Sequence, residues 1–143
     1  MSDILLPAPA IARGVCRLFG EMGCGTLTEF TIANGRRLDV LALHGDGRLT
    51  GVEIKSGVRD FRADRKWRDY LDFCDAFYFA VAEDFPLALL PDECGIVVAD
   101  TYAATVLRAA PSQALHAARR KAVTLRFALT ASARLRGWED PQI

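Results

Sequence analysis

The sequence lacks the features that would assign it to several common protein classes. It has 18 Lys and Arg against 18 Asp and Glu, so it has no overall positive charge of the kind that marks many nucleic-acid-binding domains. No apolar run approaches the roughly 20 residues that a membrane-spanning helix needs. The first ten residues, MSDILLPAPA, lack the basic region and long apolar run of a secretory signal. We therefore expect a cytoplasmic protein with no membrane partner.

The cysteine pattern gives no sign of a zinc or iron–sulfur site. The chain has four cysteines and two histidines, but it contains no CxxC motif and no histidine at metal-ligand spacing from a cysteine. We expect reduced, mostly buried thiols. The chain contains no internal repeat. Its 143 residues, 51% of them hydrophobic, can bury one sizeable core. The sequence therefore predicts a single domain over residues 1–143.

A β-hairpin occupies the centre of the chain. Arg37–Leu43 and Leu49–Ile54 are apolar-rich runs, and the loop between them, HGDGR, contains two glycines. If the loop is centred on Asp46, paired residues have numbers that sum to 92. Asp39 then lies opposite Glu53, and Lys55 projects from the same face as Glu53.

Two opposed carboxylates predict a cation site. Their Cβ atoms would be about 5 Å apart, and like charges so placed are destabilising. Mg²⁺, or Mn²⁺ in its place, would relieve this repulsion, and Lys55 could then orient or deprotonate a water or bind a phosphate. The alternative is a solvated strand face on which Asp39 pairs with Lys55 or Arg37. A register shift of one residue would separate the two carboxylates.

Other segments predict a mixed sheet flanked by helices. Strand, helix and strand between Leu49 and Ala82 form a parallel crossover unit. Together with the hairpin, this order indicates an α/β protein. The remaining predicted elements are a helix over Pro9–Met22, a strand over Thr26–Ala33, a helix over Phe61–Asp75, a buried strand over Ala76–Ala82, a strand over Gly95–Ala99, an edge strand over Tyr102–Leu107 and a helix over Ser112–Arg136 capped by Ser112.

Glu29 is a further candidate acid for the site. A tight turn centred between Asn34 and Gly35 would pair residues whose numbers sum to 69. This register would place Glu29 opposite Val40 and turn it away from Asp39. A longer loop would change that result, so Glu29 stays as a candidate.

Two basic clusters suggest contacts with nucleic-acid phosphates. Arg62, Arg65 and Lys66 would lie in the first turns of the helix that follows Glu53, where phosphate binding is common. Between residues 111 and 137 there are six basic residues and no acid, a local charge of +6. On a helix, Arg119, Arg126 and Arg134 would fall within about a quarter-turn of one another. A solubilising face or a protein-binding surface is the alternative for this strip.

The last helix also has an apolar stripe. Its members are Leu115, Ala118, Ala122, Leu125, Leu129 and Ala133. This stripe could form an interface in a homodimer, or it could belong to the core.

The run GRRLDVLAL…VEIKSGVRDFRADRKWRDYLDFCDAFYFAV, followed by FPLALLP and GIVVAD, resembles the MmcB-like family of bacterial DNA-repair proteins. The pattern of Asp39 followed by Glu53-Ile54-Lys55 is similar to that of the PD-(D/E)xK nuclease superfamily. The resemblance implies a restriction-endonuclease-like αβββαβ core with a long C-terminal helix added. It also implies a Mg²⁺-dependent phosphodiesterase site in which Asp39, Glu53 and the main-chain carbonyl of Ile54 hold the metal. Lys55 would position the attacking water, and Lys66 would support it.

The family resemblance implies DNA and DNA-repair proteins as partners, with two functions left open. The first is a metal-dependent DNA nuclease that recognises structure more than sequence, since no base-reading module is present. The second is a non-catalytic DNA-binding or scaffold domain with the same fold. An RNA-processing nuclease is a weaker third hypothesis, because one fold hosts many substrates.

Overall fold

The computed structural model describes residues 6–141, which form a six-stranded mixed sheet with helices on both faces. The strands lie in the sheet in sequence order. The pairs β3–β4 and β4–β5 are parallel, and the other neighbours are antiparallel. The elements are α1 (Ala8–Glu21), β1 (Gly25–Thr31), β2 (Arg37–Leu43), β3 (Leu49–Lys55), α2 (Val58–Ala63), β4 (Ala76–Val81), β5 (Gly95–Ala99), β6 (Ala104–Arg108) and α3 (Ala117–Glu139). The predicted α/β class with a C-terminal helix is therefore confirmed.

The register of the central hairpin is the one that the sequence predicts. Paired residues run from Val40 opposite Val52 to Leu43 opposite Leu49, and each pair sums to 92. In the loop, the N–H of His44 donates to the carbonyl of Arg48 at 2.9 Å. Gly47 adopts a φ of 92°, a left-handed conformation that glycine reaches without steric cost.

The predicted register between β1 and β2 is wrong by one residue. Thr28 pairs with Val40, and Phe30 pairs with Leu38, so paired numbers sum to 68. The turn is one residue wider than predicted, because the N–H of Ile32 donates to the carbonyl of Arg36. Glu29 therefore occupies the position opposite Asp39 and not the one opposite Val40.

Helix α1 covers one face of the sheet. Its side chains Ile11, Val15 and Phe19 are buried against residues of the central strands, including Val40 and Val52. The helix approaches the β5–β6 turn closely at Gly14, where a Cβ would lie only 2.7 Å from the carbonyl oxygen of Ala103. Only glycine allows this contact, so Gly14 determines how deeply α1 sits.

The other face carries a larger core made mainly of aromatic side chains. Phe77 and Phe79 of β4 are almost fully buried there, and Trp67 and Tyr70 stack on Phe77. Phe127 of α3 joins the same cluster. The run Ala76–Val81 is apolar throughout because it is buried between two layers.

The predicted helix over Phe61–Asp75 is wrong. Helix α2 ends at Ala63, and the backbone of Asp64 is extended with φ −82° and ψ 115°. The Asp64 carboxylate accepts the N–H of Lys66 at 2.8 Å, and such a local bond competes with a helical one. A separate 3₁₀ helix then covers Trp67–Phe73.

Helix α3 begins at Ala117, later than the predicted Ser112. The N–H of Gln113 donates to the carbonyl of Asp75 at 2.9 Å, which keeps the preceding segment non-helical. His116 caps the helix by accepting the N–H of Ala118.

Of the predicted apolar stripe, Leu115 packs against the core from just before α3, whereas the stripe residues on α3 itself do not. The buried side chains of the helix are Val123 and Phe127, which lie on the opposite side from the stripe. Leu125 is 58% exposed and Leu129 is 63% exposed. Between residues 6 and 141, no helix is both long and apolar enough to cross a membrane.

Candidate functional site

Asp39 and Glu53 lie where the two hairpin strands stop pairing. Val40 and Val52 are the last paired residues at that end. Beyond them, the N–H of Asp39 donates to Oε1 of Glu53 at 3.0 Å, and the N–H of Ile54 donates to Oδ2 of Asp39 at 2.7 Å. Each carboxylate thus takes the place of a main-chain acceptor, and the strand ends fix both side chains side by side.

Burial and mutual repulsion perturb both carboxyl groups. Glu53 is only 7% exposed, and burial together with the charge of Asp39 raises its pKa to about 8. Burial also raises the pKa of Asp39 above its usual value. Oδ1 of Asp39 and Oε2 of Glu53 accept no hydrogen bond from the described chain. Neither oxygen is fully buried. The pair therefore has two oxygen atoms available for a proton or a cation.

Lys55 is buried beside the acid pair but does not bond to it. Its Nζ lies 2.8 Å from Oδ2 of Asp64 and 3.9 Å from Oδ1 of Asp60. Burial alone would raise the pKa of Asp64, but hydrogen bonds from Lys55 and from the N–H of Lys66 hold that pKa below its usual value. Asp39 forms no ion pair with Lys55 or with Arg37, so the solvated alternative is not what the structure shows. The predicted helix is interrupted at Asp64, and this interruption places the Asp64 carboxylate beside the Lys55 ammonium group.

A basic cleft opens on one side of Asp39. Lys66 is exposed and lines this cleft together with Arg36, Arg37 and Tyr70. Nη2 of Arg36 pairs with Asp69 at 2.8 Å, whereas its Nη1 is a buried nitrogen without a partner among the described residues. A buried guanidinium nitrogen without a hydrogen-bond acceptor destabilises the fold unless a ligand supplies that acceptor. Sequence reasoning did not select Arg36, although it lies three residues before Asp39.

Tyr70 closes the floor of the same cleft. Its hydroxyl donates to the carbonyl of Arg37 at 2.9 Å. Burial, followed by the charges of Glu53 and Asp39, raises the pKa of Tyr70 to about 12. The phenol therefore stays protonated and acts as a hydrogen-bond donor to the strand.

The structure brings Glu29 to the site, in contrast to the expectation from the tight turn. Glu29 and Asp39 line the same cavity, on the side of the sheet that faces α1. Glu29 has a φ of 49°, the only left-handed non-glycine residue in the described part of the chain. The β1–β2 register is the same on both sides of Glu29, so this is a local left-handed residue without an inserted one, and it has no signature in the apolar pattern of the sequence.

The basic residues predicted to contact DNA differ in their surroundings. Arg62, Arg65 and Arg126 are exposed and form no ion pair with any described residue. The Arg119 guanidinium lies 4.5 Å from the centre of the Phe73 ring, and Arg134 donates to the carbonyl of Glu29 at 3.1 Å. Helix α3 therefore reaches the edge strand at Glu29, and its basic strip extends to the neighbourhood of the acid pair.

Asp75 and Arg120 form a buried structural ion pair that sequence reasoning missed. The Asp75 side chain is 3% exposed and accepts the N–H groups of Leu49 and Leu115 as well as the Arg120 guanidinium. Burial opposes ionisation, but these hydrogen bonds lower the pKa of Asp75 to about 2. Arg120 also donates to the carbonyl of Gly47, so this pair ties α3 to the hairpin loop.

The cysteines are free thiols throughout the described chain, and Cys74 and Cys94 are buried. Cys24 lies 3.3 Å from Nδ1 of His44, a contact that sequence spacing did not indicate. Burial raises the pKa of the Cys24 thiol, which is unfavourable for a reactive thiolate.

Within residues 6–141, no group of three or more His, Cys, Asp or Glu side chains is placed to hold a metal. A cation at the acid pair would therefore also need water, main-chain or substrate oxygens.

Comparisons with known proteins place this geometry in a family. Residues 6–142 match the MmcB-like family model, described as DNA repair protein MmcB-like. The solved structure of the SPO1766 protein of unknown function from Silicibacter pomeroyi is similar, with a TM-score of 0.92 and 42% identity over 98% of this chain and 95% of that chain. No curated protein matches the sequence. Because the family model spans nearly the whole chain, this protein belongs to the MmcB-like family of DNA repair proteins.

Proposed function

We propose that this protein is a metal-dependent DNA nuclease that acts in DNA repair or damage tolerance. The fold would be the restriction-endonuclease-like core of the PD-(D/E)xK superfamily, and recognition would depend on DNA structure more than on sequence. The observation that carries the proposal is the acid pair of Asp39 and Glu53, inserted where two strands separate, with the buried Lys55 two residues further along β3.

The donor set suits Mg²⁺ or Mn²⁺. Asp39 and Glu53 each keep one free carboxylate oxygen, and both carboxyl groups have raised pKa values that a cation would lower. The main-chain carbonyl of Ile54 is the proposed third oxygen. When bound, such an ion neutralises the scissile phosphate and lowers the pKa of a bound water.

Lys55 would orient the attacking water and balance the charge that develops on the phosphate. Asp64 and Asp60 hold its ammonium group, so it reaches the site with few alternative conformations. Lys66 lines the cleft beside Asp39 and is free to assist as a second cation. These two lysines act on the substrate side of the acid pair.

DNA phosphates would be held by the surrounding basic groups. Arg36 lines the cleft beside Asp39, and its guanidinium would contact a phosphate oxygen there. Arg62 and Arg65 would contact the phosphates of the DNA strand that passes beside β3. Arg119, Arg126 and Arg134 would follow the backbone along α3.

Metal titration by calorimetry tests the site. We expect wild-type protein to bind Mg²⁺ and Mn²⁺, Asp39→Asn to lose this binding, and the exposed control Asp72→Asn to keep it. The titration is repeated with a non-cleavable DNA present, because substrate oxygens complete the shell. Branched, nicked and single-stranded DNAs are then compared as substrates, with RNA as competitor. Absence of metal binding with and without DNA would contradict the nuclease proposal.

A non-catalytic DNA-binding or scaffold domain is the second candidate. It is favoured by the finding that, within residues 6–141, no group of three or more His, Cys, Asp or Glu side chains is placed to hold a metal. This function predicts salt-dependent DNA binding that is the same with and without Mg²⁺. It also predicts that Asp39→Asn leaves DNA affinity unchanged and that no DNA structure is cleaved.

A further inference from the structure

A cavity of about 320 Å³ lies between α1 and the part of β1 around Glu29. Most of its wall is apolar and is made of small side chains. This wall consists of Ala8, Pro9, Ala12, Cys16 and Ile54. The volume is at the lower end of the range for small-molecule sites, which suits a single ring system.

Two opposite charges line the cavity without neutralising each other. Arg13 of α1 and Glu29 of β1 are both exposed. Neither side chain forms a hydrogen bond or an ion pair with any residue between 6 and 141. As far as residues 6–141 are concerned, both side chains keep their bonding capacity for a ligand.

The left-handed backbone at Glu29 gives the cavity its polar wall. In a regular strand, Thr28 and Glu29 would face opposite sides of the sheet. Here both line the cavity, while Leu27 and Phe30 on either side belong to the opposite core. A glutamate in this conformation is strained, and strain of this kind is concentrated at functional sites.

Asp39 belongs both to the acid pair and to the cavity wall. We propose that the cavity receives one unpaired nucleoside of the DNA substrate while the adjoining phosphate lies on the acid pair. The inference rests on the proposed nuclease function and specifies its substrate class. The apolar wall would contact the faces of the base, and Thr28 and Glu29 would bond to its edge. Arg13 would meet the flanking phosphate.

This arrangement selects DNA that contains an unpaired nucleotide. A base within a duplex can enter a pocket only after it leaves the stack, which costs a few kcal/mol. A base in a flap, gap, bulge or single strand is already largely unstacked and unpaired. Glu29 adds a preference for bases with an exocyclic amine, because a carboxylate accepts from such a group.

The test fills the cavity and leaves the acid pair unchanged. Ala12→Leu adds three carbon atoms to the cavity wall, and Ala128→Leu makes the same change at an exposed position of α3 outside the cavity. Binding is measured with Ca²⁺ and without metal, using a duplex with one unpaired 2-aminopurine and its fully paired counterpart. We expect the wild type and Ala128→Leu to prefer the unpaired form at least tenfold and to change its fluorescence. Ala12→Leu should lose both effects while its affinity for the paired duplex stays the same.

The two proposals fail in different ways. If the wild type binds both duplexes equally, or if Ala12→Leu keeps the preference, the cavity does not receive a base. Mg²⁺ calorimetry, together with cleavage by the wild type of the duplex that contains the unpaired base, tests the nuclease function separately from base capture. If metal binding and cleavage are absent while the preference for an unpaired base depends on Ala12, the site binds unpaired DNA without cutting it, and the nucleoside assignment stands.

Discussion

At the scale of single residues, the acid pair makes the metal-free protein sensitive to pH. Glu53 has a pKa of about 8 in the folded chain, compared with about 4.5 for an unperturbed glutamate. The folded state therefore binds a proton that the unfolded state releases between these two values. Folding is favoured at the lower pH, and this contribution is lost as the pH rises through 8.

We predict that the metal-free protein becomes less stable between pH 5 and pH 8.5, by on the order of 3 kcal/mol from Glu53. Glu53→Gln should flatten this slope and be more stable than the wild type at pH 8.5, because the amide keeps the bond to Asp39 without the charge. Urea unfolding at several pH values measures the effect. Added Mg²⁺ should also flatten the wild-type slope. A wild-type slope that Glu53→Gln leaves unchanged would show that another group titrates.

Lys55 has a structural partner as well as a proposed catalytic role, and the two can be separated. Lys55→Met should abolish cleavage and also destabilise the fold by about 2–4 kcal/mol, because it leaves the Asp64 carboxylate without its ammonium partner. The double variant Lys55→Met, Asp64→Asn should recover most of the stability without recovering activity. Unfolding and single-turnover cleavage are measured on both. Recovery of cleavage in the double variant would exclude Lys55 from the chemistry.

At the scale of elements, the sequence predicted the hairpin because its information is local. Two glycines around Asp46 fix the loop, and the loop fixes the opposition of Asp39 and Glu53. Glu29 and Asp64 could not be predicted in the same way. The left-handed backbone at Glu29 and the ion pair of Asp64 with Lys55 depend on neighbouring elements, and apolar periodicity carries no information about them.

The orientation of α3 shows the same limit. Leu125 and Leu129 form a regular stripe, yet the helix buries Val123 and Phe127 instead. Periodicity identified the helix correctly but could not identify which face packs. That choice depends on contacts between residues far apart in sequence, and the ion pair between Arg120 and Asp75 is one of them.

We predict that Asp75→Asn destabilises the protein by about 2–3 kcal/mol, because the buried carboxylate that accepts from Leu49, Leu115 and Arg120 loses its charge. The depressed pKa of about 2 stabilises the fold above pH 4, and this contribution is lost as the pH falls from 4 to 2. Between pH 4 and pH 2, the free energy of unfolding of the variant should therefore fall less steeply than that of the wild type. The exposed control Asp72→Asn should change stability by less than about 0.5 kcal/mol. An equal loss in both variants would contradict the anchoring role of Asp75.

At the scale of the whole molecule, charge is concentrated on α3 and not spread evenly. We predict that replacing Arg119, Arg126 and Arg134 by Gln weakens binding to all DNA sequences similarly. The slope of log affinity against log salt should decrease by about 0.9 for each duplex phosphate that the variant no longer neutralises. Fluorescence anisotropy at several salt concentrations measures the slope. Replacing Arg48, which pairs with Asp46 in the hairpin loop, is the matched control. An unchanged slope in the triple variant would leave α3 as a solubilising surface.

The same charge distribution makes this neutral molecule a strong electric dipole. Residues 111–137 carry +6, so the rest of the chain sums to −6. Near its isoelectric point of about 6.7, the protein has no net repulsion between copies, but each copy can present its basic end to the acidic end of another. Small ions screen such contacts beyond about 10 Å at 0.1 M salt. The protein should therefore salt in: it dissolves poorly in dilute buffer at neutral pH and disperses when moderate salt is added.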